Sequence, residues 1–230
     1  MRARAVLLAF AALVVDRDAR PCSIVNPPQV LPASQPAPVN AHVWIRNPPR
    51  HTRDVYFVVR VVAPAISEIP IATREWCPLG LVELVPQSAL PPSSRFEVWM
   101  VARAAPGKPV LLASFGTGTA TDTTPPPRPA FTKADHEVES GQCGTFHGIA
   151  LSGGSDQPET LYAMWSADAK GAIVWEAAPI AVFTGSRVDG FGTCTTDFSA
   201  WSASSPHVGI RAMDIAGNLG APIELTVLNK

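Results

Sequence analysis

The stretch that decides the fold lies in the middle of the chain, where residues 115–127 read FGTGTATDTTPPP. Glycines alternate with threonines and prolines follow, so the stretch offers few side chains to pack and few amides to pair. Successive prolines fix φ and favour extended polyproline II geometry, which behaves as a semi-rigid spacer. Blocks of alternating apolar residues lie on both sides of it. We therefore interpret residues 121–129 as a Thr/Pro-rich linker between two β-domains, at 22–120 and 130–230.

The bulk composition is that of a folded protein with many connections between short apolar runs. Of 230 residues, 47% are hydrophobic, which excludes a disordered chain, and 24 are prolines, about twice the usual share. Only 16% of the residues are charged, well below the usual share of about a quarter. The net charge is −1, so the chain lacks the basic footprint of a nucleic-acid-binding protein.

The first residues have the features of an export signal. Arg2 and Arg4 supply a positive start, and Ala5–Val15 is an uncharged apolar run. Such a run fits the core of a signal peptide and is too short to span a bilayer, and no later run approaches spanning length. We predict a signal peptide over residues 1–20, no transmembrane segment in the mature chain, and export to the periplasm, the outer surface or the medium. A proline directly before Cys22 argues against a lipoprotein signal.

Four cysteines fit that location. Cys22 and Cys77 lie in the first block, and Cys143 and Cys194 lie in the second. Four cysteines permit three pairings, of which 22–77 with 143–194 is the simplest because each block contains two. Bridges closing loops of roughly 50 residues each contribute on the order of 4 kcal/mol in the chain-entropy model, and they require an oxidising compartment. The alternative is four buried free thiols in a cytosolic protein.

Short strands recur along both blocks at intervals of about ten residues, punctuated by Pro and Gly, which is typical of a β-sandwich. Val55–Val62 is β-branched and aromatic on both faces except at Arg60, as in a central strand. The other predicted strands of the first block are Val39–Ile45, Gly80–Val85, Arg95–Ala102 and Val110–Phe115. Those of the second block are Phe131–Val138, Phe146–Leu151, Leu161–Trp165, Ala172–Trp175, Ile180–Phe183, His207–Met213 and Ile223–Leu228. Residues 185–205, rich in Gly, Ser and Thr, show no clear pattern.

Motifs at both ends of the first block resemble those of S-layer-type bacterial immunoglobulin-like (Ig-like) domains. Pro36–Ile45 reads PAPVNAHVWI and resembles the opening of such domains. Leu90–Val98 (LPPSSRFEV), Ser114–Gly118 (SFGTG) and Asp122–Pro126 (DTTPP) resemble their closing motifs. Phe96 stands where the family has a tyrosine, so a hydroxyl bond anchoring that corner is absent. The resemblance implies an Ig-like sandwich and is nearly silent about ligands.

The sequence Asp214–Asn218 (DIAGN) resembles the D-x-A-G-N hairpin before the last strand of bacterial Ig-like and fibronectin-III-like repeats. Gly and Asn tolerate the positive φ that a tight turn needs. Asp214 and Asn218, with Asp189 or Asp197, could instead donate oxygens to calcium. Because the spacing is not that of an EF-hand and no dense acidic cluster is present, a turn is the favoured interpretation.

Two further residue sets invite a chemical interpretation. Ser152, followed by two glycines, superficially resembles a hydrolase elbow, but that elbow requires a strand-to-helix turn in an α/β sheet. Cys143, His147, Cys194 and His136 could be imagined as zinc ligands, yet the chain has no CxxC pair. A disulfide would also silence Cys143 as a nucleophile. A turn and a disulfide are the preferred interpretations, with no metal or cofactor.

The aromatic residues offer the remaining binding hypothesis. The six tryptophans are Trp44, Trp76, Trp99, Trp165, Trp175 and Trp201. In a β-sandwich most large aromatics belong to cores or domain contacts. Trp44 and Trp99 each lie on the face opposite the stronger apolar stripe of their strand, which makes them the first candidates for contact with a ligand.

These observations predict an all-β protein: two tandem Ig-like β-sandwiches after a signal peptide. The resemblance implies a non-catalytic exported or cell-envelope module that acts by binding, adhesion or spacing, with an unknown protein or glycan at the cell surface as partner. A carbohydrate-binding or accessory domain of a surface enzyme system is the alternative. A hydrolase or metalloenzyme is the third class and would need clustered His, Asp, Ser or Cys in a cleft.

Overall fold

The computed structural model describes residues 27–33, 36–48, 54–76, 80–141, 144–154, 160–190 and 206–229. Within these ranges the protein is all-β, with 15 strands and no α-helix. The first half contains β1 (Gln29–Leu31), β2 (Val43–Arg46), β3 (Val55–Ala63), β4 (Ser67–Ile69), β5 (Ile71–Trp76), β6 (Leu81–Pro86), β7 (Arg95–Ala102) and β8 (Val110–Gly116). The second half contains β9 (Lys133–Gly141), β10 (Gly144–Ser152), β11 (Leu161–Ser166), β12 (Ala181–Thr184), β13 (Arg187–Gly190), β14 (His207–Met213) and β15 (Ile223–Asn229). The predicted fold class is confirmed. The described residues contain no helix that is long and apolar enough to cross a membrane.

Strands β1 to β8 form the first sandwich. Its two four-stranded sheets have the orders β1-β2-β6-β5 and β4-β3-β7-β8. Lettered in chain order, these are the A-B-E-D and C′-C-F-G sheets of an Ig-like domain. A parallel bridge between Ala37 and Thr117 ties the segment after β1 to the end of β8.

Alternation of apolar side chains builds the core of the first sandwich. Val43 and Ile45 point inward from β2, as predicted, and pack with Val59 and Val98 from the opposite sheet. Phe96, at the position where the resembled family has a tyrosine, stacks on Phe115 with ring centroids 5.1 Å apart. The corner is therefore held by an aromatic contact together with a hydrogen bond from the Thr117 hydroxyl to the Pro91 carbonyl at 2.6 Å.

Strands β9 to β15 form one hydrogen-bonded sheet that folds over itself, in the order β12-β11-β14-β15-β9-β10-β13. Residues 223–226 of β15 pair with β14, and residues 227–229 pair in parallel with β9. Because β15 passes from one layer to the other, the two ends of the sheet face each other. Buried side chains such as Tyr162, Met164, Phe183 and Ile210 fill the space between the layers, which makes this half a second sandwich.

Most of the predicted strands are present, and one is wrong. Residues 172–175 make only an isolated bridge, between Ile173 and Ala167. Trp175 instead lies over Gly209 of β14, where a Cβ atom would come within 2.4 Å of the indole. The sequence pattern predicts Trp175 as part of a strand, whereas Trp175 lies in a loop and covers the neighbouring strand β14. The sequence patterns missed β1, β4, β5 and β13, and β5 is mostly exposed, with little alternation to detect.

A third apolar cluster joins the two sandwiches. On the first sandwich it contains Leu31, Trp44 and Leu81, which point outward from the β1-β2-β6-β5 sheet. On the second sandwich it contains residues that point outward from the β12-β11-β14-β15 sheet: Leu161, Ala163, Trp165, Val182 and Met213. The outer faces of these two sheets are therefore packed against each other.

Residues 121–129 have no regular secondary structure and run along this packed pair. The Arg128 side chain donates a hydrogen bond to the Pro222 carbonyl. The Pro126 carbonyl lies so close to Gly220 that a Cβ atom there would approach it to 2.4 Å. The segment predicted as a spacer is thus held against the second sandwich.

Candidate functional site

Trp44, the first of the two predicted ligand-contact residues, is not at the surface. Its side chain is 0% exposed and belongs to the third cluster. The alternation that placed it on the outward face of β2 was right, but that face is covered by the second sandwich. Trp44 therefore cannot stack on a ligand. Its indole Nε1–H has no hydrogen-bond partner among the residues that the structure describes.

The D-x-A-G-N motif forms the predicted turn and also belongs to the joint between the sandwiches. One Asp214 carboxylate oxygen accepts hydrogen bonds from the backbone amides of Ala216 and Asn218, and the other accepts one from the Asn218 side chain. That side-chain amide also donates to the Asp122 carbonyl in the linker, and the Ile215 carbonyl accepts a bond from the His42 amide. The carboxylate oxygens are thus used in holding the turn.

A buried carboxylate lies beside the third cluster. Glu83 on β6 is 3% exposed and contacts His42 Nδ1 at 2.7 Å, Trp76 Nε1 at 2.8 Å and the Arg74 guanidinium at 3.2 Å. Burial by itself raises the pKa of Glu83, but the bonds from His42 and Trp76 and the charges of His42 and Arg74 outweigh it, so the pKa lies below its ordinary value. The pattern Leu81–Leu84 gave no signal of this burial, because a glutamate between apolar residues of a strand usually faces solvent.

Trp99, the second predicted ligand-contact residue, does lie on an accessible face. It is partly exposed on β7, between Val58 of β3 and Leu111 of β8. Tyr56, 38% exposed, follows on the same side of β3, opposite Val101. We call this surface the Trp99 face and define it by Tyr56, Val58, Trp99 and Leu111; the neighbouring Val101 is buried, with 5% of it exposed.

Charged side chains border the Trp99 face. Glu97 accepts a hydrogen bond from Trp99 Nε1 at 3.0 Å and pairs across the strands with Arg60. Arg60 in turn forms an ion pair with Glu68 at 3.2 Å, with both side chains largely exposed. At the other end the Arg103 guanidinium lies over the Tyr56 ring, 5.6 Å from its centroid. The face is an aromatic and aliphatic centre with carboxylates and guanidiniums at its rim.

The packing of the two sandwiches leaves this face accessible. The third cluster takes its residues from β1, β2, β5 and β6 of the first sandwich and none from β3, β4, β7 or β8. The two sheets of the first sandwich therefore have different roles. One contacts the second sandwich, and the other presents the Trp99 face to solvent.

The remaining predicted residues have structural roles or lie outside the described ranges. Ser152 ends β10 and is followed by Gly153 with φ +89°, so it precedes a turn. His136 and His147 do come together, with Nε2 and Nδ1 3.2 Å apart and the rings stacked. Within the described ranges no group of three His, Cys, Asp or Glu residues is arranged to hold a metal ion.

The structure describes neither the predicted signal peptide at residues 1–20 nor Cys22, Cys77, Cys143 and Cys194. The signal peptide and both disulfides therefore stay predictions, as does Asp197 in the calcium hypothesis. Trp201 is also outside the described ranges.

Comparisons with known proteins identify no family. No protein-family model and no functionally described protein matches the sequence. Among solved structures, the FN1–FN3 domains of chicken CNTN1 align with a TM-score of 0.27 and 10% identity, over 88% of this chain and 66% of that one. Titin A168–A169 aligns at 0.28 and 8%, over 88% and 98%, and the BSP domain of a biofilm-associated protein at 0.27 and 10%, over 89% and 29%. At these scores the alignments establish no relationship, and the fold rests on the strand order of the chain itself.

Proposed function

We propose that this protein is a non-catalytic binding module of the cell envelope or secreted space, and that it binds through the Trp99 face. The observation that carries the proposal is the contrast between the two outward sheet faces of the first sandwich. One is covered by the second sandwich, while the other exposes a tryptophan, a tyrosine and a leucine that is 45% exposed. Clustered aromatic residues with neighbouring arginines are the composition of binding hot spots.

The packed arrangement favours binding over spacing. A spacer gains length by placing its domains end to end, whereas here Trp44 and Leu161 belong to one buried cluster that joins two sheet faces. The predicted signal peptide and cysteines support a location outside the cytoplasm.

A sedimentation experiment tests this function. The purified chain is mixed with isolated envelopes of the cells that produce it, and the fraction that sediments is measured. We expect binding that is lost in the double variant Tyr56→Ala/Trp99→Ala and retained in Leu228→Ala, which removes a comparably exposed apolar side chain from the second sandwich. Absence of sedimentation, or equal sedimentation of all variants, would refute the proposal.

A further inference from the structure

We infer that Glu83 is a pH-sensitive switch for the packing of the two sandwiches: its ionised carboxylate holds them together, and its protonation releases them while each sandwich stays folded. This inference goes beyond the proposed function and does not depend on what the Trp99 face binds. Three observations carry it: the position of the carboxylate, the network that its charge holds, and the separation of the joint from the two cores.

Glu83 lies within the contact between the sandwiches. It is two residues from Leu81 on β6, so both side chains leave the same side of the sheet, and its cross-strand partner on β2 is Trp44. Leu81 and Trp44 belong to the third cluster, which residues of the second sandwich complete. Glu83 is therefore buried on a sheet face that the second sandwich covers.

His42 connects this carboxylate to the second sandwich. Its ring Nδ1 lies 2.7 Å from a Glu83 carboxylate oxygen, and its backbone amide donates a hydrogen bond to the Ile215 carbonyl at 2.7 Å. A Cβ atom on Gly217 would lie 3.8 Å from the His42 ring. The Glu83–His42 contact thus fixes a residue against which the turn at Asp214–Asn218 rests.

The negative charge of Glu83 holds the rest of the network. The carboxylate accepts a hydrogen bond from Trp76 Nε1 at 2.8 Å and forms an ion pair with Arg74 at 3.2 Å. Hydrogen bonds to an ionised acceptor are about twice as strong as neutral ones. In acid the His42 imidazole is charged as well, so a protonated Glu83 would leave two cations side by side without the anion between them.

No other charged group around this face replaces Glu83. The cations are Arg46 and Arg74 on the first sandwich and Arg211 on the second. The other carboxylates are those of Glu75, Asp214 and Glu224. Asp214 uses its oxygens within its own turn, and Glu75 and Glu224 are exposed. Among these groups only Glu83 is buried, so the packing depends on its protonation state more than on that of the others.

The joint can open without unfolding either half. Val82 and Leu84, the strand neighbours of Glu83, point into the first core and away from the joint, and the second sandwich has a core of its own. The joint also contains the Trp44 Nε1–H, which has no partner among the described residues. Because separation would give this buried donor water to bond with, the released arrangement recovers part of what the lost contact costs.

The direction of the pH dependence follows from the two arrangements. Burial by itself raises the pKa of Glu83, but the bonds from His42 and Trp76 and the charges of His42 and Arg74 outweigh it, so the pKa in the packed arrangement lies below 4.5. In the released arrangement the carboxylate meets water and regains its ordinary pKa. The contribution of Glu83 to the packing is therefore complete above pH 4.5 and is lost as the pH falls through the lowered pKa.

Small-angle X-ray scattering and circular dichroism on the same samples of the full chain test this switch. We expect the radius of gyration of wild type to rise from about 17 Å at pH 7 to about 22 Å at pH 3, with the β-sheet dichroism retained and the change reversed at pH 7. Glu83→Gln, which cannot ionise, should give the larger radius already at pH 7. Glu97→Gln is the matched control and should behave as wild type, because Glu97 also accepts a bond from a tryptophan Nε1 but lies on the sheet that contributes nothing to the third cluster.

Each outcome decides the inference. A wild-type radius that stays at about 17 Å at pH 3 with the dichroism intact would overturn it, as would expansion that coincides with loss of the dichroism, since acid would then unfold the sandwiches. Expansion of wild type in acid with a compact Glu83→Gln at pH 7 would assign the release to another carboxylate, such as Asp214. If Glu83→Gln does not fold, the wild-type series alone still decides between release and no release.

Discussion

Replacing Trp44 by alanine tests the packing of the two sandwiches, because this side chain is fully buried in the cluster that joins them. A buried tryptophan removes up to about 250 Å² from water, which corresponds to about 6 kcal/mol at 25 cal/mol per Å². The orphan Nε1–H offsets about 1–3 kcal/mol of this, the cost of a buried donor without a partner. We therefore expect Trp44→Ala to lower the free energy of unfolding by about 3–5 kcal/mol, the range observed for Trp→Ala substitutions in cores.

Equilibrium unfolding in urea measures this change, and the chain offers a matched control. Trp99→Ala removes the same side chain from a partly exposed position, so we expect a loss of no more than about 1.5 kcal/mol, in proportion to the smaller area it buries. Trp44→Phe removes the orphan donor and keeps most of the apolar surface, so it should cost less than half as much as Trp44→Ala. Equal losses for the two Trp→Ala variants would refute the assignment of Trp44 to a buried contact between the sandwiches.

Three further predictions concern the joint, the carboxylate and the cysteines. Gly220→Ala should destabilise the chain by about 2 kcal/mol or more, because its Cβ would meet the Pro126 carbonyl at 2.4 Å; thermal unfolding beside Gly107→Ala, where a Cβ meets no atom within 4 Å, measures it. Since the folded pKa of Glu83 lies below its ordinary value of 4.5, its ionised form stabilises the fold above that pH and this contribution is lost as pH falls through the folded pKa. The melting temperatures of wild type and Glu83→Gln should therefore converge in acid, and a difference constant from pH 7 to 3 would contradict this. Peptide mass mapping without reduction should find Cys22 linked to Cys77 and Cys143 to Cys194, and four alkylated thiols would contradict both bridges.

The sequence patterns predicted the strands well where alternation along the strand itself separates the inward-facing from the outward-facing side chains. Arg95–Ala102 alternates with a period of two, and the structure places Phe96 and Val98 inward with Glu97 and Trp99 outward. Val55–Val62 was recognised as a central strand because β-branched residues occupy both of its faces, and it pairs on both sides. Strands with weak alternation, such as Ile71–Trp76, left no comparable signal.

The site was only half predictable, because a strand pattern gives the direction of a side chain and not what covers it. Trp44 and Trp99 were equivalent in sequence, each on the outward face of its strand. The contact with the second sandwich buries one and leaves the other accessible. Tyr56 joined the site only once the register of β3 with β7 placed it opposite Val101, beside Trp99. The burial of Glu83, like that of Trp44, could not be predicted from the strand pattern, because it depends on what covers the outer face of the β1-β2-β6-β5 sheet.

The central claim is that the sandwiches are packed face to face, which leaves the Trp99 face as the binding surface. Small-angle X-ray scattering from the purified protein tests it most directly. A compact chain of 230 residues has a radius of gyration of about 17 Å, and the packed arrangement predicts a value close to this. Two bodies of about 13 Å joined end to end, with centres about 35 Å apart, would give about 22 Å. The larger value would contradict the packing, return Trp44 to the accessible surface and restore residues 121–129 as a spacer.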